Sequence, residues 1–100
     1  MGGEVRVLVY HLTEHGDAVH AAYHEVSREM SEVPGMLGNE LLRSVSDPGS
    51  FVVLSRWQDL ESFQVWERGA RHRDSTAALR PYQDTRMARP FAVLEVSASY

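Results

Sequence analysis

The sequence predicts an α+β domain in which one four-stranded antiparallel sheet carries helices on a single face. Three observations lead there. Apolar residues alternate in short runs, they recur at helical spacing in longer ones, and the runs follow one another in the order β-α-β-β-α-β. That order is the ferredoxin-like split unit. One hundred residues make a single domain, 1–100, and an apolar content of 43% supplies one modest core. Such a sheet leaves one face bare, and pairing sheet to sheet with a second copy is the natural way to bury it. A homodimer through the sheet face is therefore expected.

Residues 4–12, EVRVLVYHL, alternate and are rich in β-branched side chains, so they form the first strand. Residues 15–33 form a helix: Ala18, Val19, Ala22, Tyr23, Val26, Met30 and Val33 fall on one face. Asp17 sits in its first turn, where a negative charge suits the helix dipole, and Pro34-Gly35 stops it. MLGNELLRSV, 36–45, is the second strand, and Ser46-Asp47-Pro48-Gly49-Ser50 turns the chain. FVVLSRW, 51–57, returns as the third strand of a hairpin. Asp59 caps a helix carrying Leu60, Phe63 and Trp66. Gly69 interrupts it, and a further helical stretch covers 71–80. Pro81-Tyr82 opens a loop, and FAVLEVSA, 91–98, is the last strand.

What the chain lacks narrows its chemistry. It has no Cys, which removes thiolate nucleophiles, iron–sulfur clusters and cysteine-type zinc sites. It has no Lys, which removes Schiff-base chemistry and a P-loop lysine. No GxGxxG or GxxxxGK[ST] occurs, and the glycine pair in PGMLG is too sparse for a phosphate loop. A net charge of −4 argues against nucleic acid as a partner. No apolar run reaches membrane-spanning length, MGGEVR has no signal-peptide core, and Arg6 stands where myristoylation needs Ser or Thr. These features predict a cytoplasmic protein with no membrane partner.

The segment PGMLGNELLRSVSDPGSFVVLSRWQDLESFQVWERGARHRDSTAAL resembles the antibiotic biosynthesis monooxygenase family. The matching features are PGxxG before the second strand, the hairpin, the Trp57-x-Asp59 junction, the aromatic helix after it, and His72 six residues past Trp66. The resemblance implies a dimeric α+β barrel with one pocket per subunit between sheet and helices. Family members include enzymes that oxidise anthrones and related polyketide phenols to quinones with O₂ and no cofactor, while others degrade haem or act on quinols and signalling metabolites. Trp57 takes the place of the family's pocket tryptophan, and Arg86 or Arg89 that of an arginine before the last strand. Val53 stands where the anthrone oxygenases carry Asn, and Phe63 where some carry Tyr; the one asparagine of this chain is Asn39. Of the haem-degrading set only Trp66 is kept, since the first strand lacks Asn and positions 75 and 76 are Ser and Thr.

The residues themselves offer a candidate site. Alternation puts Val53, Ser55 and Trp57 on one strand face and Val52, Leu54 and Arg56 on the other. Trp57 either stacks on a planar substrate and offers its N–H to an oxygen intermediate, or pins the core at the strand–helix junction. Phe63 and Trp66 share a helix face, as pocket wall or as core. His72 is the candidate base, because a neutral imidazole takes a phenolic proton near pH 7 and the anion reduces O₂ more readily; its other reading is a helix-junction residue. Arg86 is the candidate for stabilising the developing negative charge, or else a surface residue or a salt-bridge partner in the dimer. Tyr23 and Tyr82 are either hydrogen-bond donors in the pocket or half-buried packing residues, and Asn39 is a further candidate for binding the substrate. His11 shares a face with Val5, Val7 and Val9, which places it in the pocket or at the dimer interface. Asp17, His20 and His24 form a stripe resembling a two-His, one-carboxylate iron site, but it lies opposite the apolar face and has nothing behind it to orient ligands. The expected function is a cofactor-independent oxidation of a polycyclic phenol or anthrone by O₂, with no metal. The alternatives are a module that binds an aromatic ligand or haem without converting it, and a non-oxidative polyketide cyclase or isomerase.

Overall fold

The computed structural model describes residues 3–69 and 72–100. The elements are β1 (Val5–Leu12), α1 (Gly16–Met30), β2 (Met36–Arg43), β3 (Ser50–Trp57), α2 (Leu60–Arg68), α3 (His72–Ser75), a 3₁₀ turn at Arg80–Tyr82 and β4 (Phe91–Glu95). The strands form one antiparallel sheet in the order β2-β3-β1-β4. This is the βαββαβ arrangement that the alternation and spacing predict.

The ends of the elements differ from expectation for local reasons. α1 stops at Met30 rather than Val33. Pro34 disfavours helical backbone at the residue before it, and the last stretch tightens into a turn in which the Val33 N–H reaches the Met30 carbonyl. The expected helix over 71–80 is two short pieces, its first position lying outside the described residues. Thr76 Oγ1 donates back to the His72 carbonyl at 2.9 Å, and from Ala77 onward the backbone bonds span three residues instead of four. β4 ends at Glu95 because β1 begins opposite it, at Val5.

Alternation sorts the sheet into two faces. Val5 and Val7 of β1 and Trp57 of β3 turn inward and pack with Ala22, Val26 and Met30 of α1, Phe63 of α2 and Leu79 to form the core. Trp57 is 0% exposed. Its indole N–H donates to Ser55 Oγ at 2.9 Å, so the one polar atom of a fully buried ring is satisfied within its own strand. Its ring stands 5.5 Å from Phe63 and 5.4 Å from Trp66, centroid to centroid. The other face holds Leu8, Tyr10, Val52, Leu54, Leu42 and Leu94, with Arg56 exposed at one end, and no helix among the described residues covers it.

α2 is set by two local devices. Asp59 caps it by accepting from the Ser62 N–H at 2.8 Å. The turn before β2 then leans on that first helical turn: Gly35 adopts φ +85, its carbonyl accepts from the Gln58 N–H at 2.8 Å, and an added Cβ would stand 2.4 Å from Ser62 Cβ. Gly35 thus lacks a side chain both for its backbone conformation and for the close approach. Gly35→Ala is expected to destabilise the fold by about 2 kcal/mol or more, read as a lower urea midpoint at unchanged slope. Gly35→Ala combined with Ser62→Gly should recover part of the loss, because the clash is relieved and the left-handed backbone is not.

Candidate active site

A cavity of about 300 Å³ lies between the inner face of the sheet and the helices. Its apolar walls come from Val7 and Val9 of β1, Val26 and Met30 of α1, Val53 of β3, Phe63 and Trp66 of α2, and Leu79. The strand residues are there because alternation sends every second side chain inward. The helix residues are there because spacings of three and four share a face. A mostly apolar enclosure with a few convergent polar groups is the usual form of a small-molecule site.

The polar groups converge from separate elements. Tyr23 of α1 donates its hydroxyl to Asn39 Oδ1 on β2, and Ser27 Oγ, one helical turn on, donates to the same oxygen at 3.3 Å. This network ties α1 to the strand beneath it. Ser55 enters from β3, already engaged by the Trp57 indole. His72 enters from α3, its ring edge-on to Trp66 at 4.6 Å. Arg80 lines the cavity from the 3₁₀ turn, with Nη2 donating to Thr76 Oγ1 at 3.0 Å, and Glu67 and Gln83 lie on the same lining.

His11 is the most enclosed polar side chain of the site, 1% exposed. It sits near the end of β1, where β4 no longer runs alongside. There the chain between the 3₁₀ turn and β4 takes the vacated edge. The Tyr10 N–H donates to the Pro90 carbonyl at 2.7 Å, the Asp84 N–H donates to the Tyr10 carbonyl at 2.9 Å, and Gln83 bridges His11. Phe51 lies across from His11 on β3. Burial pushes the His11 imidazole below its ordinary value, with a hydrogen bond to the Val9 backbone working the other way. Among the described residues, His11 Nδ1 is the one buried side-chain nitrogen or oxygen with no hydrogen-bond partner.

Of the residues singled out from sequence, His11, Tyr23, Asn39, Val53, Ser55, Phe63, Trp66 and His72 line this cavity. Three lie elsewhere. Trp57 is sealed in the core behind Ser55 and Phe63 rather than on the cavity surface. Arg86 is turned to Asp84, with Nη2 on Oδ2 at 2.9 Å and Nε on Oδ1 at 3.1 Å, and to Asp47 at 3.7 Å. The pairing holds the Asp84 carboxyl below the usual carboxylate range and fixes the loop against β1. Tyr82 packs on the core from outside the cavity. Asp17, His20 and His24 are exposed on α1, His20 with its ring 6.2 Å from that of Phe51, and no cluster able to hold a metal ion occurs among the described residues.

Sequence reading passed over Ser27, Glu67, Arg80 and Gln83. Ser27 was within reach, four residues after Tyr23 on one helix face. Arg80 and Gln83 belong to an irregular segment with no periodicity to place them. A second hollow, wider and more open at about 860 Å³, lies on the far side of Trp66, and its rim carries Glu29, Glu32, Asp59, Glu61 and Asp74. That acidic rim suits an aromatic anion poorly, and the enclosed cavity is the better ligand site.

A small α+β domain with an apolar chamber under its helices is a ligand-handling fold. The family described as antibiotic biosynthesis monooxygenase matches residues 5–78, and the chain belongs to it. Protein SchA of Streptomyces halstedii is 26% identical over 77 residues, 77% of this chain and 20% of that protein, so the chain spans about a fifth of the relative's length. Among solved structures, SnoaB of Streptomyces nogalater, a cofactor-independent oxygenase, superposes with a TM-score of 0.79 at 14% identity, covering 99% of this chain and 97% of that one. A conserved protein from Methanosarcina mazei superposes at 0.73, with 14% identity and 91% and 90% coverage. At such identities these two structures speak for the fold. No helix among the described residues is long and apolar enough to cross a membrane.

The buried histidine has a consequence for stability. Its folded-state pKa is depressed, so the unfolded chain binds the extra proton once the pH falls below the ordinary value of 6.5. The stability associated with neutral His11 is therefore complete above that pH and is lost on acidification through the lowered folded value. Chemical denaturation of the wild-type chain between pH 7.5 and pH 5 should show this loss, and His11→Gln should show a shallower one.

Proposed function

We propose that this chain is a cofactor-independent monooxygenase that oxidises a polycyclic phenol or anthrone-like compound to a quinone with O₂. The observation that carries the reading is the enclosed apolar cavity with ionisable and hydrogen-bonding side chains on its lining, in a member of this family. A flat ring system lies between the aliphatic strand face, Val7, Val9 and Val53, and the helix side, Phe63 and Trp66. His72 takes the proton of the activated methylene or hydroxyl group. The resulting anion gives one electron to O₂, and the radical pair combines to a hydroperoxide. Loss of water leaves the carbonyl, so that CH₂ and O₂ become C=O and H₂O. The protein removes a proton, excludes water and offers a cation, Arg80, near the charge that develops. Arg80 takes this role in place of Arg86 because Arg80 lines the cavity, whereas Arg86 lies outside it against Asp84 and Asp47.

Val53 and Phe63 support a second reading. Both line the cavity without a polar atom where the anthrone-type pattern has Asn and Tyr, which suits a module that binds an aromatic ligand and does not oxidise it. Oxygen consumption separates the two. With an anthrone panel, the wild-type chain should take up O₂ faster than buffer autoxidation and yield the quinone. His72→Gln should lower turnover by about 10²-fold, within the range of general base catalysis. Binding without uptake would establish the second reading in its place.

We further propose that the working unit is a homodimer formed through the bare sheet face. Leu8, Val52, Leu54, Leu42 and Leu94 make that face apolar, and no element among the described residues covers it. Light scattering should give twice the 11.3 kDa chain mass, and Leu54→Asp should give the single mass. A monomeric wild-type chain would exclude this interface.

A further inference from the structure

The geometry points to His11 Nδ1 as the acceptor for a hydroxyl group on the ligand, so that the cavity selects aromatic compounds carrying a free O–H. This rests on the reading of the cavity as an aromatic-ligand site and adds the feature by which a ligand is chosen. It does not depend on whether the ligand is then oxidised.

Three independent features support the assignment. His11 lines the cavity with its side chain almost wholly enclosed, and its backbone is held by pairing with Phe51 across the sheet and by the Gln83 bridge. Its Nδ1 is buried without a partner, whereas the neighbouring polar groups are already bound: Ser55 to the Trp57 indole, and Tyr23 and Ser27 to Asn39. Folded proteins rarely leave a buried polar atom unpaired unless a function uses it. The remaining ionisable side chains on the lining are Tyr23, Glu67, His72 and Arg80, spread over the helical side. His11 is the ionisable group of the lining that the sheet supplies. In the neutral tautomer with the proton on Nε2, Nδ1 is an acceptor, which a hydroxyl satisfies and an ether oxygen cannot.

His11 in this account orients the ligand, and His72 keeps the role of base. A ring system whose hydroxyl is anchored at β1 is fixed in the plane of the cavity, and its far edge is turned to the helical side. Such anchoring acts on binding and on the choice among similar compounds more than on the intrinsic rate of the chemical step.

The test uses 1-naphthol and 1-methoxynaphthalene as probes, followed by tryptophan fluorescence and calorimetry. The wild-type chain should bind the naphthol at least about tenfold more tightly than the ether, the discrimination of one well-made hydrogen bond. His11→Phe should lose that preference. A preference that survives in His11→Phe would overturn the assignment, because it would then arise from the shape of the cavity. Equal affinities in the wild-type chain, or no binding of naphthol, would overturn it without any variant. Should His11→Phe fail to fold, ¹⁵N spectra of histidine-labelled wild-type protein decide: naphthol should move the His11 Nδ1 resonance and the ether should not, and identical spectra would sink the proposal. The oxygenase reading fails separately. Naphthol preference through His11 with no O₂ uptake on anthrones removes the oxidation and keeps this site, and quinone formation without the preference does the reverse.

Discussion

The rest of the molecule depends on the burial of Trp57 at the end of β3. This ring is the largest fully buried side chain, and it touches the sheet through Ser55 and α2 through Phe63 and Trp66. It fills the space between the two layers at one end of the sheet and so sets the spacing at which α2 rides. Farther along the same face the side chains become smaller, Val53 on β3 and Val7 and Val9 on β1, and the helices do not close down to meet them. The cavity is the space left by the change from a tryptophan to valines along an inward face. Its location follows from packing before any chemistry is considered.

That space bears on stability. If it were sealed and dry, 300 Å³ at about 24 cal/mol per Å³ would correspond to roughly 7 kcal/mol, comparable with the whole stability of a domain this size. A hundred-residue chain has no such reserve. The cavity is therefore open enough to hydrate, and its polar lining, Tyr23, Asn39, Ser27 and Ser55, is what lets water or a ligand occupy it without leaving donors and acceptors unpaired. The same logic isolates His11. It lines the same space, its Nδ1 is unpaired, and its strand is held there by the backbone bonds of Tyr10 to Pro90 and Asp84.

The strands, the two main helices and the inward face were legible because they rest on period-two and period-3.6 patterns and on local signals such as Asp59 and Pro34-Gly35. Alternation put Val53, Ser55 and His11 among the cavity candidates, and helical spacing did the same for Tyr23, Phe63 and Trp66. Depth was not legible. Alternation gives the face on which Trp57 lies but not how far α2 covers it, and that separates a pocket wall from a core residue. The segment after β-strand three's helix was the least legible. From Ala77 to Pro90 it has no period, and its course is set by Asp84 binding β1 and Arg86 together. Arg86 was read from its place in a motif, and its charge is spent inside that loop. Arg80, six residues earlier, reaches the cavity instead.

The period of two also links the site to the bare sheet face. On β1, the cavity residues Val7, Val9 and His11 alternate with Leu8, Tyr10 and Leu12; on β3, Val53 and Ser55 alternate with Val52, Leu54 and Arg56. Each inward side chain is thus fixed by backbone whose neighbouring side chains point the opposite way. A partner pressed against the outer face restrains the same peptide units that aim His11, Val53 and Ser55. A register slip of one residue would exchange the two sets, sending Leu8 and Leu54 into the cavity and His11 out of it. The proposed recognition at the cavity and the proposed assembly at the outer face therefore draw on the same strands, and substitutions on either face are expected to be felt on the other through the sheet rather than through a chain of side-chain contacts.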